Sequence, residues 1–347
     1  MSTHTPTVAG TPTSRRPLNI IDQARSSGWA RELALLPAII LAMVIGAVLS
    51  PQFLTANNLL NNVLVTSAVL GIVVIAESII LISGYFDLSL ESVVGLAPML
   101  AVWLVLPAAV GGSGWGWSPW GAFAAMFVLS IVIGLINGFL VGKLKLNAFM
   151  VTLAMLTLLR GLTMGLSGGK TLSGLPAEFL ALGNTKWLGI SIQIWLFVIF
   201  LVAAAIFMRS HPVGRKLYAM GGNNAAAAAA GIKTLRLTIG VFVAGAVIAA
   251  FAGLMLTGRI ASVTANQGDG LIFTVFAAAV IGGISLNGGK GSMIGALSGV
   301  LLLGIIQNIL VLSQVPSFWI QAIYGLIILS ALIFNYLAGS RRTRRVV

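Results

Sequence analysis

Residues 63–82 read VLVTSAVLGIVVIAESIILI, a run of twenty positions in which Glu77 alone is ionisable. A helix of about 20 apolar residues matches the ~30 Å hydrocarbon layer of a bilayer. This stretch is therefore expected to cross a membrane. Nine further runs meet or approach the same length: 33–49, 92–110, 121–141, 148–166, 190–208, 237–257, 271–284, 293–312 and 319–337. The run 271–284 is short and interrupted by glycine, the pattern of a tilted or broken span or one that extends into its loops. The expected fold is all-α, a polytopic membrane bundle of about 10 helices.

Composition agrees. The 347 residues are 58% hydrophobic and 8% charged, with a mean hydropathy of +1.04. Soluble domains carry about 25% charged residues, so this chain cannot cover a water-facing surface. A formal charge of +13 would suggest nucleic acid in a soluble protein. Here the bases lie between apolar runs, and no basic stretch is interleaved with aromatics, so a nucleic-acid partner is not expected. Of twenty lysines and arginines, sixteen fall on the side that holds both termini, three in the opposite loops, and Arg160 within a span. The positive-inside rule then places both termini in the cytoplasm. Residues 1–32 are polar and basic, with no apolar core close behind Arg15-Arg16, and are expected to form a disordered cytoplasmic tail rather than a cleaved signal. Residues 338–347 form a second basic tail, leaving 33–337 as the membrane domain.

No enzyme constellation emerges. There is no cysteine, His4 and His211 are isolated, and no metal-ligand spacing, nucleotide-binding loop or nucleophile motif occurs. No catalytic residue and no metal site is expected. A carrier driven by protons or sodium needs several buried acids, and only Glu77, Asp87 and Glu91 lie in or beside spans. The energy source is therefore expected on another polypeptide; an ion-coupled secondary carrier is the rival.

Arg160 stands about 9 Å, or six residues, from the outer end of its helix. It can snorkel to the interface or pair with Glu77, although those two lie at different depths. Asp87 and Glu91, spaced i and i+4 around Ser89, share a face if helical. Two readings stand for them: capping of a helix N-terminus, or a discontinuous helix lining a pathway. Asn61, Asn62, Ser67, Gln307 and Asn308 are the polar side chains within spans that suit a neutral solute, the alternative being interhelical glue. Glycines inside spans, Gly134, Gly138, Gly245 and Gly253 among them, suit close helix packing. The long inner stretch 209–236 holds five bases and the run Ala225 to Ala230, a strong helix former; a short cytoplasmic helix flanked by Gly221, Gly222 and Gly231 is expected.

Five stretches in order resemble one family. They are Phe53-Leu54-Thr55-Ala56-Asn57-Asn58-Leu59-Leu60; Gly84 to Ser92; Thr152-Leu153 through Arg160-Gly161-Leu162 to Ser167-Gly168-Gly169; Gly214-Arg215-Lys216-Leu217-Tyr218-Ala219-Met220-Gly221-Gly222-Asn223 with Ala225-Ala226 and Gly231-Ile232; and Ile281-Gly282-Gly283 through Ser285-Leu286 to Gly288-Gly289-Lys290-Gly291. Together they resemble the permeases of bacterial ATP-binding-cassette importers for ribose, xylose, galactose and related solutes, a superfamily that includes branched-chain amino acid permeases. The chain departs from the family's pattern at Tyr85 and Glu91, where it has glycine or a small residue, at the uncharged alanine run, and at Ala148, where proline is frequent.

The resemblance implies a multi-pass protein of the bacterial inner membrane, paired with a second permease copy, identical or related. It implies an extracytoplasmic binding protein that delivers a monosaccharide or, alternatively, a nucleoside, amino acid or sugar-derived signal. Separate ATPase subunits, carrying ATP and Mg, would engage Gly214, Arg215, Gly221, Gly222, Asn223, Ala225, Ala226, Gly231 and Ile232.

Overall fold

A computed structural model describes residues 35–333 apart from Ser317, Gln321, Ile328, Ala331 and Leu332. Both expected tails lie outside the described residues. Among the described residues ten apolar helices follow one another: α1 (Leu36–Leu49), α2 (Ala56–Ile82), α3 (Leu90–Val105), α4 (Pro119–Gly142), α5 (Ala148–Ser167), α7 (Ile192–Ser210), α10 (Thr234–Ile260), α11 (Leu271–Ile281), α12 (Met293–Leu312) and α13 (Phe318–Ile327). Shorter helices intervene: α6 (Ala177–Asn184) on the outer side, α8 (Pro212–Gly222) and α9 (Asn224–Ala229) on the inner side. Six of the ten, α2, α4, α5, α7, α10 and α12, are long and apolar enough to cross a membrane unaided, and four are shorter. The expected bundle is present, and the shorter helices are where it departs from simple spans.

Helix α2 is the axis of the bundle. Its most apolar window is 94% buried, against 28% for α5 and α7. It runs for 27 residues, about 40 Å at 1.5 Å per residue, and its first turns carry a π segment, Leu59–Leu64. Large apolar side chains on α1, α4, α5 and α7 point outward, Val48, Val128, Leu158 and Ile199 among them. Such a surface is stable only against lipid or another apolar protein face.

Glycine lets α4 and α10 approach closely. Gly134, Gly138 and Gly142 on α4 meet Val243, Ile239 and Leu235 on α10 in antiparallel register; a Cβ at Gly138 would come within 2.6 Å of the Ile239 Cα. Lipid supplies no hydrophobic drive between helices, so close backbone approach takes its place. On the outer side a two-residue ladder joins β1 (Leu172–Ser173) to β2 (Ser262–Val263), tying the loop before α6 to the loop after α10.

The span expected over 92–110 ends earlier, at Val105. Pro107 has no amide proton to continue the helix, and a separate 3-10 turn covers Ala108–Val110. In the inner stretch 209–236 two helices stand where one was expected. His211 caps α8 through its side chain, with Pro212 in the first turn. Asn223 then ends α8 in extended backbone and caps α9 by accepting the Ala226 N–H at 3.0 Å. Gly221 and Gly222 consequently lie inside α8 rather than flanking the alanine helix.

Candidate translocation pathway and coupling surface

The candidate pathway residues Glu77 to Glu91 surround a helix break. Helix α2 stops at Gly84, which adopts a φ of +85°. The Gly84 N–H donates to the Leu81 carbonyl at 2.9 Å and the Tyr85 N–H to the Ile80 carbonyl at 3.2 Å, a glycine C-cap that closes two of the carbonyls in the last turn. Non-helical chain follows until Leu90. Asp87 and Ser89 in it are fully or almost fully buried. Asp87 folds the turn: its Oδ1 accepts the Ser89 N–H at 2.9 Å and also the Ser89 hydroxyl. Its own N–H donates to Glu77 Oε1 at 3.3 Å. The chain between α2 and α3 is thus discontinuous, and Ser89, at the start of α3, makes no side-chain capping bond of its own.

Glu91 does not serve its own helix. Its Oε2 accepts the Ile272 N–H, at the start of α11, at 3.0 Å, and its Oε1 accepts Arg160 Nη2 at 2.6 Å. The other arm of Arg160 pairs with Asp269, in the loop before α11. Arg160 lies 12 residues beyond Ala148, about 18 Å along α5, so α3 and α11 both begin at mid-depth. The 11 residues of α11 reach only about 16 Å. The loop ahead of it dips into the bundle, where Gln267 is buried and its Nε2 donates to the Val94 carbonyl at 2.9 Å. Two helix N-termini, each carrying about half a positive charge, therefore flank one carboxylate. Of the two possibilities for Arg160, neither snorkelling nor Glu77 is what it uses; two other acids hold it.

The polar candidates separate into two groups. Asn308 exchanges amide bonds with Asn58, at 2.8 and 3.0 Å, joining α12 to the foot of α2. Asn62 extends the chain by donating to Asn58 Oδ1 at 2.9 Å. Ser67 is buried against Gly304. Asn61 and Gln307, both half-buried, take no part in that pairing; the Asn61 side chain donates to Asn57 Oδ1 at 2.7 Å. Asn58, Asn137, Gln267 and Asp269 were not singled out from sequence. Asn58 does lie in a quoted family stretch, and its spacing of four from Asn62 is the signal that could have found it.

On the inner face α8 is wedged under the bundle. A Cβ on Gly221 would collide with the Ile82 carbonyl at the end of α2 and would lie 2.7 Å from the Gly289 nitrogen. That nitrogen itself donates to the Ile82 carbonyl at 2.8 Å. Tyr218 donates from its hydroxyl to the Gly291 carbonyl at 2.9 Å. Gly214 packs on the last turn of α7, and Arg215 donates to the Ser210 carbonyl at 2.8 Å. Thus α8 touches the end of α2, the end of α7 and the loop between α11 and α12. Below it Gly222, Asn223, Ala225, Ala226 and Gly231 are exposed, with Ile232 half-buried. A cavity of about 460 Å³ opens beside this ledge between Gly84–Phe86, the α4–α5 turn and Asn224.

Residues 59–332 match the family described as branched-chain amino acid transport system / permease component. The chain belongs to that family. Among curated proteins, this permease is 33% identical over 341 residues to the L-arabinose ABC transporter permease protein AraH of Azospirillum brasilense, covering 96% of this chain and 97% of that one. It is 32% identical over 318 residues to the ribose import permease protein RbsC of Haemophilus influenzae, covering 88% and 93%. To the autoinducer 2 import system permease protein LsrC of Escherichia coli it is 33% identical over 305 residues, covering 88% and 86%. No solved structure matches the chain. The permease is a transport subunit and a multi-pass membrane protein.

Proposed function

We propose that this permease conducts a neutral monosaccharide-sized solute through the inner membrane, on delivery by an extracytoplasmic binding protein. Separate ATPase subunits, binding ATP and Mg, drive it from the exposed ledge of α8 and α9, and a second permease copy, identical or related, completes the pathway. Hydrolysis belongs to the ATPase subunits, and this chain binds no cofactor.

One observation carries the reading: Gly221 seats α8 directly on the Ile82 carbonyl and on Gly289. A push on α8 reaches the end of the central helix, the break after it and the loop behind half-helix α11 without passing through a flexible linker. The solute class rests on charge and on relatives. Among the described residues both ion pairs use Arg160, which is shared between Glu91 and Asp269. A zwitterionic amino acid would need a cation of its own, whereas a sugar needs hydroxyl and amide partners. The relatives named for arabinose and ribose import fit the same class.

The absence of native cysteine makes the test clean. Ala225→Cys, cross-linked in membranes expressing the whole importer, is expected to capture the ATPase, and Trp187→Cys on the outer loop is not. Capture of the ATPase from the outer site, or none from Ala225→Cys, would refute the reading.

A further inference from the structure

Between the end of α7, the body of α8 and the start of α12 lies a cavity of about 670 Å³ that no other part of the account uses. Its size is that of a small-ligand pocket, about 300–1,000 Å³. Arg209, in the last turn of α7, and Arg215, in α8, line it together with Ile206, Tyr218, Ser292 and Ile294. Both arginines are exposed. Arg215 gives one N–H to the Ser210 carbonyl at 2.8 Å, and a guanidinium has further donors to offer a ligand. Helix α12 turns its N-terminus to the same cavity. Ser292 Oγ accepts the Gly295 N–H at 3.0 Å, and the Ser292 carbonyl accepts that of Ala296. The N–H groups of Met293 and Ile294 have no acceptor within the helix, and the 20 residues of α12 place about half a positive charge at this end.

No carboxylate among the described residues neutralises these charges. Glu77 and Asp87 are buried at the break, Glu91 and Asp269 hold Arg160, and Glu178 lies on outer helix α6. The partner that complements the cavity is therefore an anion from another molecule. It must also meet an apolar wall. Ile206 is 61% exposed, and Val202, Ile199 and Val198 continue its outward strip along α7. Residues 199, 202 and 206 keep the spacing of one helix face. All four side chains are β-branched; their bulk holds a second helix backbone at a distance, whereas acyl chains conform to it. We propose that this cavity binds the phosphodiester headgroup of an anionic phospholipid of the inner leaflet, with its acyl chains along α7. Basic pockets between helices on the cytoplasmic side suit such headgroups, and the planar fork of arginine matches phosphate oxygens in pairs. The lipid bridges α7, α8 and α12.

The test uses the purified full-length permease in nanodiscs of phosphatidylcholine with a rising fraction of phosphatidylglycerol at constant ionic strength, and native mass spectrometry of the lipid retained. Phosphatidylglycerol is expected to raise the melting temperature with a saturating, mass-action dependence, and one such lipid to stay on each chain. R209Q and R215Q are each expected to weaken retention about fivefold, and the double variant about 25-fold. Both side chains are exposed, so all variants should melt close to the parent in pure phosphatidylcholine. K143Q/K145Q removes the same charge from the α4–α5 turn on the same face and is expected to leave retention unchanged. Phosphatidylglycerol retained no better than phosphatidylcholine, an equal loss in K143Q/K145Q, or an undiminished response in R209Q/R215Q would each overturn the proposal. So would equal stabilisation by inorganic phosphate, which would make this a site for a soluble anion. Loss of the lipid on adding the ATPase would overturn it too, by assigning both arginines to that partner.

Discussion

Glu91 and Arg160, 69 positions apart in the chain, meet at 2.6 Å in the middle of the bundle. The same carboxylate holds the first turn of α11 through Ile272. Removing one member leaves the other charged group buried, a cost of about 3–5 kcal/mol for a fully buried pair. Arg160 is 19% exposed, so the lower end applies. Arg160→Met is expected to lower stability by about 3 kcal/mol and Glu91→Leu by at least as much. The double variant should recover part of the loss. Thermal unfolding of the four proteins in one detergent checks this; additive losses would contradict the pairing.

Asp269 occupies the exposed end of the same chain of charges. Its side chain is 59% exposed, where ion pairs contribute about 0–1 kcal/mol. Asp269→Asn should therefore leave stability within about 1 kcal/mol while freeing the loop before α11. Hydrogen exchange across residues 264–270 should rise with no matching rise in α10. Unchanged exchange in that loop would count against its being tethered by Arg160.

Asn58 and Asn308 form a reciprocal amide pair, and such bonds between membrane helices contribute about 0.6–2 kcal/mol. A cycle of Asn58→Leu, Asn308→Leu and the double variant should give a coupling energy in that range. A coupling near zero would mean that the pairing contributes nothing.

Gly221 and Gly222 are neighbours with different tolerance. A side chain at Gly221 runs into the Ile82 carbonyl, whereas one at Gly222 has no atom within 4 Å. Gly221→Val should leave insertion and ATPase binding intact and cut uptake at least about tenfold, since each 1.4 kcal/mol of lost coupling is a factor of ten. Gly222→Ala should transport normally. Equal uptake by the two would remove Gly221 from the force path.

Much of the bundle could be read from the sequence because lipid imposes a simple length rule; the run 63–82 marked the end of α2 at Ile82, although the helix begins seven residues earlier, at Ala56. Half-helix α11 could be read only in outline: its shortness was visible, but not that Glu91 would hold its start. That contact joins residues 181 positions apart, and a hydropathy profile carries no information about pairing at that distance. Asn58 was overlooked because its partner is 250 positions away. The split of the inner stretch into α8 and α9 is set by His211 and Asn223 and not by the alanine run, whose helix propensity marks only α9. Those two caps, local and polar, decide where the helices start.

The most direct measurement is uptake of a labelled pentose into proteoliposomes holding this permease and its ATPase, with binding protein outside. Uphill accumulation should require ATP on the ATPase side, survive collapse of all ion gradients, and vanish when the ATPase is omitted. Accumulation by the permease alone, or accumulation that falls with an ion gradient while ATP is saturating, would contradict a pathway driven from its cytoplasmic face.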